Sequence, residues 1–211
     1  MKWELKADFF VLLLLLLFGD CYEAAAGYML SVLVHEGGHL AAIWLCGGTV
    51  DTIRFDVTGG EILYHGVRSY PKEMIIALSG AVCNGFAALL LSQLGQRTGN
   101  GLCYILSGAQ VVSAVFNLVP VPMLDGGSAL QALLCLWTTP WEAETVLTRI
   151  GLVISFVLFG LGVYILIKTR YNGTMLLCGG YLFVSCLRQS RAAPNCLKGK
   201  NPNYVYLAEK T

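Results

Sequence analysis

The chain has 211 residues, of which 56% are hydrophobic and only 13% charged, and its mean hydropathy is +0.65. That balance excludes an ordinary soluble globular domain and describes a polytopic membrane protein. A net charge of +1 offers neither a basic surface for nucleic acid nor an acidic tail. The eight cysteines, Cys21, Cys46, Cys83, Cys103, Cys135, Cys178, Cys186 and Cys196, show no CxxC spacing. Most lie in apolar runs, where cysteine behaves as a small hydrophobe.

Lys2 and Lys6 precede the run Phe9 to Phe18, and small residues follow from Ala24 to Gly27. This resembles a secretory leader, but Asp20 stands where a lipoprotein cleavage box needs a small residue before Cys21, and further spans follow. An uncleaved first span near 8–22 is therefore expected. A hydrocarbon core requires about 20 helical residues, which places further spans near 26–46, 73–95, 101–119, 146–168 and 172–188. Between the second and third, Ile53, Phe55 and Val57 alternate with Arg54, Asp56 and Thr58, and Gly59-Gly60 precedes Glu61 to His65. That period of two predicts a β-hairpin over 49–66, either a plain connection or an edge strand that holds an extended substrate.

Between the fourth and fifth spans, Pro120, Pro122, Gly126 and Gly127 interrupt an apolar stretch that resumes from Ala129 to Trp137. One broken span is expected there, and broken backbone at membrane depth marks a site, because it survives only against protein or a water-filled cavity. Residues 192–211 form a polar end. The expected fold is an all-α polytopic membrane protein with six transmembrane helices and a small β-hairpin, forming a single domain over 1–211. Lys2, Lys6, Arg68, Lys72, Arg188, Arg191, Lys198 and Lys200 favour cytoplasmic termini, against Lys168, Arg170 and Arg97. Trp3, Trp44, Trp137 and Trp141 fall near span ends, as interfacial anchors do.

Ionisable side chains inside a membrane span are costly and therefore informative. Glu36 is the only acid between Glu23 and Asp51, within His35-Glu36-Gly37-Gly38-His39. This is the HExxH pattern, which places two imidazoles on one helix face and a carboxylate beside them. A catalytic zinc takes three protein ligands and keeps one position open. Asp125, the only acid between Glu73 and Glu142, is the best-placed third ligand. With zinc on His35, His39 and Asp125, Glu36 is the candidate acid/base for peptide-bond hydrolysis.

The sequence resembles the site-2 protease family of intramembrane zinc metalloproteases, in its short six-span type. The resemblance rests on HExxH within a span, on Gly80-Ala81-Val82-Cys83-Asn84 as a Gly-x-x-x-Asn element, and on Asn117, Pro120, Asp125 and Gly126 as the Asn-x-x-Pro...Asp-Gly segment. It implies one Zn2+ per chain on His35, His39 and Asp125, Glu36 as catalytic acid/base, and Asn117 shaping the substrate site. It also implies a three-helix catalytic core over about 26–137, accessory spans near 8–22, 146–168 and 172–188, and membrane-associated strands in the hairpin. Substrates implied are membrane-anchored proteins such as anti-sigma factors or transcription-factor precursors, with a membrane regulator and a bacterial cell membrane as the setting.

The bland readings are narrower. HExxH alone fixes three positions, but burying His35, Glu36 and His39 without partners costs several kcal/mol. Gly37 and Gly38 each cost about 1 kcal/mol in a helix interior, which close packing or room for a substrate explains. Gly80 and Asn84 suit helix packing and substrate contact equally, and His65 reads as an ordinary loop histidine. The rival functions are a non-proteolytic pseudoenzyme, against which the intact Glu36 argues, and a metal transporter, against which the scarcity of ionisable residues in the other spans argues.

Overall fold

The computed structural model describes residues 2–5, 22–56, 59–67, 69–170 and 173–192. The expected first span near 8–22 and the polar end from 193 onward lie outside them, as do Cys21 and Cys196. The elements run β1 (Lys2–Leu5), α1 (Tyr22–Leu45), β2 (Thr49–Asp56), β3 (Gly59–His65), α2 (Tyr70–Thr98), α3 (Gly101–Asn117), α4 (Asp125–Leu134), α5 (Pro140–Thr169) and α6 (Thr174–Ala192). The protein is thus mostly helical with one small sheet. Its chain forms two compact units, residues 1–67 with 75–117, and residues 68–74 with 118–211.

In the first unit, α1 buries Gly27, Ser31, His35, Gly38, His39 and Ala42, the three- and four-residue spacing of a single helix face. Gly27 brings α1 close to α3, since a Cβ there would lie 3.0 Å from that of Ala109. Ala42, Ile43, Val67 and Ile76 form a buried cluster, with Cys46, Val50, Ile62 and Tyr64 packed against it, so the sheet caps the C-terminal end of α1.

The sheet order is β1-β2-β3. β2 and β3 form the expected antiparallel hairpin, with Thr49 opposite His65 and Asp56 opposite Gly59, and an irregularity between Val50 and Thr52. β1 was not expected. It pairs in parallel with β2, Lys2 opposite Thr52 and Leu5 opposite Phe55, so the open edges belong to β1 and β3. His65 is exposed and bridges Asp51 at 2.8 Å and Thr49 at 2.7 Å, a cross-strand cluster that fixes the register of the hairpin.

In the second unit the expected break is present. Residues 118–124 form turns, with Val121 N–H donating to Val119 and Leu124 N–H to Val121, before α4 begins. Val121 and Leu124 are buried with Leu182 and Cys186. α5 starts with a capping box, Thr139 and Glu142 bonding reciprocally, and with Pro140 in its first turn. α5 and α6 run antiparallel at close range, because Gly162 faces Leu176 and Gly179 faces Phe159.

The burial pattern of α5 inverts that of a soluble helix. Its buried positions include Gly151, Ser155 and Gly162, whereas Val153, Phe156, Val157, Leu161, Tyr164 and Ile167 are exposed. Small residues inside and large apolar ones outside are what a lipid solvent selects. Among the described residues, α2 and α5 are long and apolar enough to cross a bilayer. α1 has the length but falls short in apolar average, because His35, Glu36 and His39 lower it. α3 is apolar with 17 residues.

A Cβ on Gly162 would sit 2.5 Å from the backbone of Leu176, while Gly160 has nothing within 4 Å. Overpacking of this kind costs about 1–3 kcal/mol. Gly162→Val is expected to lower the thermal unfolding midpoint in detergent by several degrees, with Gly160→Val leaving it unchanged.

Candidate metal centre

His35, Glu36 and His39 are all buried, each below 10% exposed, and consecutive turns of α1 stack the two imidazoles. The rings meet edge to face with centroids 4.7 Å apart, and their Nε2 atoms lie 3.2 Å apart. Two Nε2 atoms converging in this way present their lone pairs to one point, as two ligands of a single metal must.

α2 supplies the surroundings. His39 Nδ1 lies 2.8 Å from the Ile76 carbonyl oxygen, so its N–H donates there and Nε2 is left as the acceptor end. Ser79 donates its hydroxyl to the same carbonyl at 2.6 Å. Gly80 lies directly against the imidazole pair, because a Cβ would stand 2.6 Å from His39 Nε2 and 2.7 Å from His35 Cε1. One turn on, Asn84 is fully buried, with its amide nitrogen 3.5 Å from His35 Nδ1 and 2.9 Å from Ser113 Oγ. The two glycines of the motif differ. Gly38 faces Ser79 and Cys83 of α2 at a separation that no side chain fits, and Gly37 is open.

α3 contributes Ser113, which also accepts from Asn117 at 3.5 Å. Gly80, Asn84 and Asn117 thus stand with the histidine pair in the first unit. Ser79, Ser113 and the Ile76 carbonyl were absent from the sequence reading. Ser113 lies four residues before Asn117 and Ser79 precedes Gly80, so helical spacing carried a signal for both serines. A backbone carbonyl leaves none.

In the second unit, Asp125 is the first residue of α4, after Leu124, which makes no side-chain cap. The carboxylate is favoured by the helix dipole there. Gly126 and Gly127 are required by the turn beneath it, since a Cβ on either would collide with the carbonyls of Leu118 and Val121 respectively. His35 and His39 are buried in the first unit, and Asp125 is partly buried in the second. Two imidazoles and one carboxylate are a zinc donor set.

A model of the Peptidase M50B-like family matches residues 9–169. A zinc metalloprotease of Methanocaldococcus jannaschii is 29% identical over 194 residues, 84% of this chain and 54% of the relative. Rip3 of Mycobacterium tuberculosis is 28% identical over 144 residues, 63% of this chain and 36% of the relative. The chain therefore spans about half or less of the curated relatives that it matches. The solved structure of a site-2 protease from M. jannaschii superposes with a TM-score of 0.69 at 21% identity, over 90% of each chain, a likeness of fold.

Gly80→Ala is expected to push the imidazoles out of register and to lower retained divalent metal several-fold by elemental analysis. Gly85→Ala, with nothing within 4 Å of the added methyl, is the matched control and should retain it.

Proposed function

We propose that this chain, which belongs to the Peptidase M50B-like family, is an intramembrane zinc metalloendopeptidase that cleaves membrane-embedded or membrane-associated proteins near the cytoplasmic face. The observation that carries this reading is the buried His35–His39 pair with Nε2 atoms 3.2 Å apart and Glu36 beside it on the same helix. The names of the curated relatives support it, since one is a zinc metalloprotease.

His35, His39 and Asp125 would hold the metal. Zinc, when bound, supplies a Lewis acid that activates water and polarises the scissile carbonyl. Glu36 accepts the proton of the attacking water and returns it to the departing amine, so that one carboxylate serves as base and then acid. Its low exposure removes competing solvent, and the Ile76 carbonyl, by accepting from Nδ1–H, holds His39 in the tautomer whose Nε2 carries the lone pair. Asn117, tied to Ser113, shapes the substrate side of the site, together with Gly80 and Asn84.

The finer assignments belong to the same proposal. Residues 26–137 are the catalytic core of one protease domain, with accessory spans near 8–22, 146–168 and 172–188, giving six in all. Both termini lie in the cytoplasm of a bacterial cell. The exposed Trp44, Trp137 and Trp141 suit interfacial anchors. The substrate class is a membrane-anchored anti-sigma factor or transcription-factor precursor, whose helix must unwind locally before a peptide bond is reached.

Glu36→Gln is expected to abolish cleavage of a membrane-anchored substrate in proteoliposomes while about one zinc per chain remains; cleavage that survives would remove the role given to Glu36. Asp125→Ala is expected to lower zinc far below the wild-type content, and unchanged zinc would exclude Asp125 as a ligand.

A further inference from the structure

The partners of the two histidines are unequal. With both Nε2 atoms committed to a metal, each imidazole carries its proton on Nδ1 and needs an acceptor there. His39 has the Ile76 carbonyl at 2.8 Å. His35 Nδ1 lies 3.5 Å from the amide nitrogen of Asn84, a contact that sets donor against donor at a length too great for a good hydrogen bond.

Asn84 itself is out of balance. It is fully buried, and its carbonyl oxygen has no hydrogen-bond partner, a cost of roughly 1–3 kcal/mol for a buried acceptor. Ser113 Oγ meanwhile accepts from both Asn84 and Asn117, which leaves its own proton without a role in these bonds. Amide oxygen and nitrogen are nearly equal in shape, and their assignment follows from the network. Exchanging them by a half turn about χ2 places the oxygen where the nitrogen now stands, facing both His35 Nδ1 and Ser113 Oγ. It then accepts from His35 Nδ1–H and from the Ser113 hydroxyl, while Ser113 still accepts from Asn117.

The displaced amide nitrogen also needs an acceptor. Gln110 is fully buried, with both its amide atoms unpartnered. It lies on α3 between the two contacts that tie this helix to α2, Ser113 with Asn84 and Ser107 with the Ala88 carbonyl at 2.8 Å. Its carbonyl, unpartnered on that stretch of α3, is the candidate acceptor for that amide.

We infer that Asn84 is the positioning residue of His35, its side-chain carbonyl accepting the His35 Nδ1–H and so fixing the ring and tautomer that present Nε2 to the metal. This rests on the zinc site proposed above. Partners of this kind typically affect metal affinity by about 10–100-fold.

The test is zinc affinity of the full chain in detergent, measured by competition with a chromophoric chelator, so that no substrate is required. Wild type is compared with Asn84→Leu, which keeps volume without an acceptor, Asn84→Asp, which keeps an acceptor, and Ser113→Ala. Asn84→Leu should weaken zinc by about 10–100-fold, with Asn84→Asp and Ser113→Ala within a few-fold of wild type. If Asn84→Leu does not fold, as judged by thermal unfolding, Asn84→Ala takes its place. Equal affinity in wild type and the variants without an acceptor overturns the inference, as does equal weakening by Asn84→Asp, which would make the position one of shape. Failure of wild type to bind zinc overturns the metal-centre reading itself, a result distinct from either.

Discussion

A buried polar group must find its partner inside the protein, and around His35, Glu36 and His39 this requirement governs what the neighbouring helices carry. An apolar helix could pack on α1 by shape alone. One that receives two imidazoles must approach closely and offer acceptors at fixed heights, which α2 does with Gly80 for approach and the Ile76 carbonyl for acceptance. The serines and asparagines of α2 and α3 follow from the same need. Leucine at Ser113 would fill space and leave the side-chain amides of Asn84 and Asn117 without the hydroxyl they meet.

The break between α3 and α4 answers a different need, that of a carboxylate in an otherwise apolar stretch of chain. A continuous helix would leave Asp125 in mid-helix with no favourable field. Ending α3 at Asn117 and restarting at Asp125 places the carboxylate at a helix N-terminus, where free N–H groups and the dipole favour its charge. The turn that permits the restart folds so tightly that Gly126 and Gly127 are the only residues compatible with the carbonyls beneath them. The Asp-Gly-Gly sequence thus has one member that puts a charge at the helix start and two for the turn.

Much of this was legible in the sequence where the signal was local. The alternation after Thr49 gave the hairpin, the Pro and Gly punctuation gave the break, and HExxH gave the paired imidazoles because a helix alone sets that spacing. What was hidden depended on neighbours distant in sequence. Gly80 reads equally as packing or substrate contact until α2 is laid against α1 and the imidazoles are found to occupy the place of its missing side chain. β1 carries alternation in Lys2-Trp3-Glu4-Leu5, but four residues specify no partner strand, and pairing with β2 is a long-range choice. The Ile76 carbonyl was invisible because every residue has one.

The span count illustrates how function distorts the very signal used to find membrane helices. Between Gly151 and Ile167, α5 exposes Val153, Phe156, Val157, Phe159, Leu161, Val163, Tyr164 and Ile167 while Gly151, Ser155 and Gly162 are buried. α1 has the length of a span, yet its two histidines and glutamate draw its apolar average below that of α2 and α5. A helix whose polar residues all face inward meets lipid with the same surface as one without them, since only the outward side chains touch the hydrocarbon. Hydropathy averages both faces and so penalises the helix that carries the chemistry. In such a chain, the helix that scores poorly while burying its polar residues on one face is where a reactive centre is to be sought.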